Sequence, residues 1–337
     1  MVSNTTSPSD FINLWQQRIS EASLPWEILA LEAFQFQSKA NPVYAEWISL
    51  ISCKPETVKS VNQIPFLPIE LLKSHRVLVS DIPTEGVFYS SGTTGMVLSN
   101  HHFYNKEHYL ANTVNLFQDW QGPLTNCVFF ALLPHYLERS NSSLVAMVKH
   151  FMQESGNGEH FYLDNFELLE KAIEEANSTG KKLILFGVTF ALLEYAKQGF
   201  NLPSGTILIE TGGMKGKGKE LIRTELHEIL KFKLKLPVIY SEYGMSELFS
   251  QCYTDGSDWF TESKTMKVLL REPDNPFGVN RIQGKGALNV IDLANIHSCC
   301  FIATSDQGKH DGNTRFTVEG RLDNTDIRGC NLLTLNL

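Results

Sequence analysis

The chain has 337 residues, 42% of them hydrophobic and 20% charged, with a formal net charge of -8. That length and composition allow a sizeable core and about two domains, and exclude a small stapled module. The negative balance argues against nucleic acid or an anionic membrane as a main partner.

The N-terminus, Met1-Val2-Ser3-Asn4-Thr5-Thr6, lacks the basic and apolar segments of a signal peptide. No apolar run reaches the roughly 18 residues of a membrane span. A cytoplasmic protein without a membrane span is expected. The six cysteines, Cys53, Cys127, Cys252, Cys299, Cys300 and Cys330, have no CxxC spacing, so reduced thiols are expected rather than zinc or disulfides.

In chain order, Phe11, Ile12, Leu14, Trp15 and Ile19, then Ile28, Leu29, Leu31 and Phe34, recur at helical spacing and predict amphipathic helices with core-facing aromatics. Asn41-Pro42 starts another helix, and Ile64-Pro65-Phe66-Leu67-Pro68 is an extended link. From Val77 the texture changes. Short apolar runs at Val77–Val79, Val87–Tyr89, Cys127–Leu133, Leu183–Phe186, Thr206–Ile209 and Val238–Tyr240 predict strands. Helical candidates at Ser142–Met152, Asn165–Asn177, Thr189–Lys197 and Lys219–Lys231 lie between them, the alternation of a layered α/β domain. From about Phe260 the chain reads as β-rich, with turns at Asn275–Gly278 and Gly308–Asn313. The expected organisation is a helical region over 1–80, an α/β core over 81–259 and a β-rich part over 260–337.

Three loops at predicted strand ends carry chemistry. Ser90-Ser91-Gly92-Thr93-Thr94-Gly95 offers hydroxyls and a close-approaching backbone to an anion, although the same composition suits an exposed turn. Glu210-Thr211-Gly212-Gly213-Met214-Lys215-Gly216-Lys217-Gly218-Lys219 suits a flat ring or phosphate, with its lysines adding positive charge, or equally a solvated loop. In Ser241-Glu242-Tyr243-Gly244-Met245-Ser246-Glu247 the tyrosine can stack on a base, Gly244 permits close approach and Glu247 is a hard ligand for magnesium; a strand-to-helix turn capped by Ser246 is the alternative. Further on, Asp306 can accept ribose hydroxyls, and Arg321 in Gly320-Arg321-Leu322-Asp323 can neutralise a phosphate, while either segment alone could be a hairpin turn.

The order Ser-Ser-Gly-Thr-Thr-Gly, Tyr-Gly-Met-Ser-Glu, Thr-Ser-Asp and Gly-Arg-Leu-Asp resembles the adenylate-forming superfamily of acyl-CoA synthetases, adenylation domains and luciferases. Leu31–Phe34, Asn41–Tyr44, Ile64–Ile69 and the ending Arg328-Gly329-Cys330 are similar to its LuxE-like acyl-protein synthetase branch, over nearly the whole chain. The resemblance implies the large α/β domain of these enzymes. It implies that Ser90 to Gly95 cradle the ATP phosphates with Thr94 near magnesium. By it Gly212, Gly213 and Tyr243 wall the adenine, Glu247 holds magnesium, Asp306 the ribose hydroxyls and Arg321 the ribose or phosphate. His135 falls where the superfamily often has a histidine beside the acyl carboxylate, and a lone histidine is more often structural.

The sequence departs from the superfamily pattern twice. Met96-Val97-Leu98-Ser99 lacks the Pro-Lys that usually follows the phosphate loop. The chain also stops soon after Asp323, where relatives begin a small C-terminal domain bearing a catalytic lysine, so that domain is expected to be absent and Lys215 becomes a candidate replacement. The branch implies an acyl-accepting cysteine near the C-terminus, here Cys330; a small buried residue in a last strand is the alternative. The expected activity is ATP-dependent conversion of a fatty acid or other carboxylic acid to acyl-AMP, transfer to Cys330, and delivery to an acyl-protein reductase or an acyl carrier. The competing expectations are a stand-alone acyl- or aryl-CoA ligase and a non-catalytic nucleotide- or acyl-binding protein.

Overall fold

The computed structural model describes residues 7–21, 24–90, 98–133, 141–212, 221–273, 275, 278 and 280–322. Three helices lead: α1 (Pro8–Glu21), α2 (Trp26–Ala40) and α3 (Pro42–Leu50), followed by the short α4 (Leu71–Ser74). Then come α5 (Lys106–Gln121), α6 (Ser143–Ser155), α7 (Phe166–Asn177), α8 (Thr189–Lys197) and α9 (Arg223–Leu234). The strands are β1 (Leu67–Pro68), β2 (Gly86–Tyr89), β3 (Asn100–Phe103), β4 (Cys127–Leu132), β5 (Lys182–Gly187), β6 (Ile207–Glu210) and β7 (Tyr240–Tyr243). They continue with β8 (Cys252–Thr254), β9 (Phe260–Thr261), β10 (Met266–Arg271), β11 (Gln283–Asp292), β12 (Phe301–Asp311), β13 (Arg315–Phe316) and β14 (Gly320–Arg321).

The strands β4, β5, β6 and β7 pair in parallel, in sequence order. All six residues of β4 are buried, as a strand covered on both faces requires, and its sequence CVFFAL is accordingly apolar without alternation. Helix α6 packs on β4 and α7 on β5. After β7 the sheet changes character: β8, β9, β13, β12, β11 and β10 follow in antiparallel pairing. The carboxyl ends of β6 and β7 therefore sit where a parallel half meets an antiparallel half, the place where open α/β sheets present ligand sites.

Local chemistry sets the element ends. Asn41 caps α3 by accepting from the Tyr44 amide, with Pro42 in the first turn where its missing N–H costs nothing. Asn105 and Ser142 cap α5 and α6 in the same way. The leading helices dock through long-range bonds: Trp15 Nε1 donates to the Leu293 carbonyl at 2.8 Å, and Gln37 Nε2 to that of Ile296 at 2.8 Å.

Several sequence expectations are corrected. Val77–Val79 is buried but belongs to no strand; it is extended chain held by Val79 N donating to the His297 carbonyl and by the Ser298 hydroxyl donating to that of Val77. The segment from Gly308 to Asp311 is not a turn, because β12 continues through it and pairs with β11 and β13. The link at Leu67–Pro68 is a short strand, parallel to Ile302 and Ala303 of β12, where proline sits at an edge. Cys299 and Cys300 are buried, as their apolar surroundings suggest. Among the described residues no helix is long and apolar enough to cross a membrane.

Candidate active site

The carboxyl end of β6 is organised by Glu210, which is 5% exposed. Its Oε1 accepts from the Thr189 hydroxyl at 2.5 Å and from the Gly212 amide at 2.6 Å, and its Oε2 from the Ser241 hydroxyl at 3.2 Å. Because Ser241 Oγ donates to the carboxylate, its lone pairs face His227 Nε2, which donates to it at 3.0 Å. Burial lowers the His227 pKa, consistent with a neutral ring in that role. This network fixes the turn at Gly212, whose φ of 76° lies in the left-handed region and whose missing side chain leaves open space above the backbone.

One strand away, Tyr243 closes β7. Its ring is buried against Phe260 and Phe316, at centroid distances of 5.7 and 5.3 Å, and its hydroxyl donates to Asp306 Oδ2 at 3.0 Å. Asp306 lies inside β12, not after a strand, directly across from Arg321 of β14. Arg321 Nε is 3.5 Å from Asp306 Oδ1, and the arginine side chain is 84% exposed, so the pair is screened and leaves the guanidinium accessible to a ligand. Burial raises the Asp306 pKa; Arg321 and the Tyr243 hydroxyl oppose the rise, and Glu247 adds to it.

The segment after β7 does not enter a helix. It turns back into β8, so Ser246 caps nothing; its hydroxyl donates to Glu247 Oε2 at 2.7 Å. His101 of β3 anchors this turn by donating from Nδ1 to the Ser246 carbonyl at 2.7 Å, and Asn295 Nδ2 donates to the Glu247 carbonyl at 3.0 Å. Glu247 is itself 5% exposed. At Gly244 a side chain would collide with the Glu242 carboxyl. Although Glu242 keeps some exposed surface, protein surrounds its carboxyl closely enough that desolvation, reinforced by Glu210, pushes its pKa up to about 8.

The hairpin of β2 and β3 brings its ends together at Ser90, whose hydroxyl accepts from the Ser99 amide at 2.8 Å while its own amide donates to the Ser99 carbonyl. Ser91, Gly92, Thr93, Thr94, Gly95, His135, Gly213, Lys215 and Cys330 lie outside the described residues. Of the remainder, the fold brings Tyr243, Asp306 and Arg321 into contact and places Glu247 within electrostatic reach of Asp306, while Gly212 ends the neighbouring strand. Glu210 and Glu242 have sequence neighbours that draw attention, but their own roles depend on bonds and charges between strands.

No protein-family model matches the chain, and no curated protein matches it by sequence. Solved structures share its fold. Apo MatB from Rhodopseudomonas palustris is 16% identical at a TM-score of 0.51, over 71% of this chain and 48% of that one. A 2-hydroxyisobutyryl-CoA ligase in complex with 2-HIB-AMP and CoA is 12% identical at 0.59, over 95% and 70%. A long-chain-fatty-acid–CoA ligase from Archaeoglobus fulgidus is 14% identical at 0.51, over 74% and 53%. The match thus spans about half the length of two of these three, and at such identities the shared property is the fold alone.

Proposed function

We propose that the chain activates a carboxylic acid with ATP, forming acyl-AMP and pyrophosphate, and then passes the acyl group to its own Cys330 and on to a partner protein. The observation that carries this reading is the contact of Tyr243, Asp306 and Arg321 across three strands, beside the Gly212 turn, in a fold shared with ligases of that chemistry. A buried carboxylate held between a tyrosine hydroxyl and an exposed arginine suits a ribose with its phosphate.

In this reading Asp306 accepts from the ribose hydroxyls and Arg321 donates to ribose or phosphate. Gly212, Gly213 and Tyr243 flank the adenine, and Ser90 to Gly95 receive the phosphates. Glu247 fits magnesium: it is a hard oxygen donor with Oε1 left over from its bond to Ser246, and an ion arriving on nucleotide phosphates needs only one or two protein carboxylates. Thr94 would add a hydroxyl beside it. When bound, that ion would neutralise phosphate charge. The acid's oxygen bonds to the α-phosphorus as the bond to pyrophosphate breaks, with His135 beside the carboxylate and Lys215 in place of the superfamily lysine. The Cys330 thiolate then bonds to the acyl carbon and AMP leaves. The acid is a fatty acid in this reading, and the final acceptor an acyl-protein reductase or an acyl carrier.

The test is to incubate the protein with MgATP and labelled fatty acids of several lengths. Hydroxylamine-labile label on the wild type, and none on Cys330→Ala, is expected. Equal labelling of both would remove Cys330 from the route, and transfer only to added coenzyme A would make the chain an acyl-CoA ligase.

A further inference from the structure

The carboxylates gathered around this site, Glu210, Glu247 and Asp306, make it a poor host for a polyanion unless cations accompany them. Arg321 is one, and it stands mostly in solvent. A second cation is held inside the same cluster. Arg223 opens α9, and its guanidinium lies 4.6 Å from the centroid of the Phe260 ring, with Nη1 donating to the Val318 carbonyl at 3.3 Å. Phe260 stacks on Phe316 at 5.4 Å, and both pack on Tyr243. Arg223, Phe260, Phe316 and Tyr243 thus form one continuous layer that ends at the Tyr243 hydroxyl on Asp306.

Burial lowers the pKa of this guanidinium, while Glu210, Asp258 and Asp306 raise it. It therefore feels the Gly212 turn and the Asp306 carboxylate together. Among the described residues, however, none of these carboxylates forms an ion pair with it, and the Val318 carbonyl occupies one of its five N–H donors. Desolvating an arginine is costly, and the ring stack, a single carbonyl and the attraction of these carboxylates offset only part of that cost. A bound anion would complete its set of partners.

We propose that Arg223 is a nucleotide-binding residue, whose N–H donors beyond the one on Val318 take a phosphate oxygen of the nucleotide seated at Tyr243 and Asp306. This rests on reading the site as a nucleotide site. Arginine suits the task because its planar fork stays charged in a desolvated setting and can present two parallel donors to a phosphate. Sequence gives no signal for it: a single arginine at a helix start, shortly after Gly218, gains its meaning only when Phe260 and Val318 arrive from the β-rich part.

The experiment measures equilibrium binding of ATP and of adenosine to the full chain, as wild type, Arg223→Lys and Arg223→Gln, with urea denaturation of each as a fold control. Arg223→Gln is expected to weaken ATP about 10- to 100-fold and to leave adenosine within about twofold, the loss of one charge-assisted phosphate contact. Arg223→Lys is expected to recover part of the ATP affinity, since it keeps the charge and loses the fork. Raising the salt concentration should weaken ATP binding more in wild type than in Arg223→Gln. Unchanged ATP affinity in Arg223→Gln, or equal loss of ATP and adenosine, would overturn the assignment. If wild type binds adenosine and ATP not at all, the nucleotide reading fails at its root and this inference falls with it, a result distinct from a variant that behaves like wild type.

Discussion

Replacing Glu242 by glutamine removes one titration from the protein while keeping the side chain's size. In the native state burial and the nearby Glu210 push the Glu242 pKa from 4.5 up to about 8. The folded protein consequently holds one more proton than the unfolded chain between those two values. The stability this group contributes is complete below the unfolded pKa, falls by about 1.4 kcal/mol per pH unit across the window, and is gone above the folded pKa. From about pH 6 to about pH 8 the fall is at most about 2.5 kcal/mol, and solvent access to the partly exposed side chain reduces it to about 1–2 kcal/mol. Urea denaturation of wild type and Glu242→Gln across this range measures it directly. Asp292 and Glu170, whose pKa values are pushed up to about 6 and about 7, titrate in both proteins and cancel in the difference. The variant should gain on wild type by about 1–2 kcal/mol as the pH rises through the window. A stability difference that stays constant with pH would refute the reasoning, because it would mean that Glu242 ionises alike in folded and unfolded chains.

Two further substitutions address the site. Glu210→Ala strands the buried Thr189 and Ser241 hydroxyls and releases the Gly212 amide from its acceptor. It should cost about 2–4 kcal/mol in urea denaturation, and a change below about 0.5 kcal/mol would show that the turn does not depend on this carboxylate. Asp306→Asn keeps an acceptor for the Tyr243 hydroxyl but removes the charge facing Arg321. The apparent KM for ATP should rise about tenfold or more with that for the carboxylic acid within about twofold. Equal increases in both would separate Asp306 from nucleotide binding.

The buried strands β4, β5 and β6 were legible because a strand covered on both faces needs a continuous apolar run, and Cys127–Leu132 and Leu183–Phe186 leave little else to be. The same rule misreads Val77–Val79: these residues are equally apolar and equally buried, but the partner of Val79 is a single carbonyl of His297 rather than a ladder. Glycine and asparagine near Gly308–Asn313 suggest a turn, whereas pairing to β11 carries β12 past Gly308 and delays the turn to its end. Within the site, Tyr243, Asp306 and Arg321 announce themselves through motifs whose order along the chain resembles a known family. Glu210 and Glu242 stand in the same stretches with no role of their own legible there, and Arg223 belongs to no motif. Their charges matter because β6, β7, β9 and β12 meet in one sheet, and residues separated by tens of positions act on each other only through that meeting.

The most direct measurement of the central claim is exchange of labelled pyrophosphate into ATP in the presence of magnesium and a series of carboxylic acids. Exchange that depends on the acid, and that falls sharply in Asp306→Asn, is the predicted result. Tight ATP binding with no acid-dependent exchange for any chain length would contradict it, and would leave a protein that holds the nucleotide without joining it to a carboxylate.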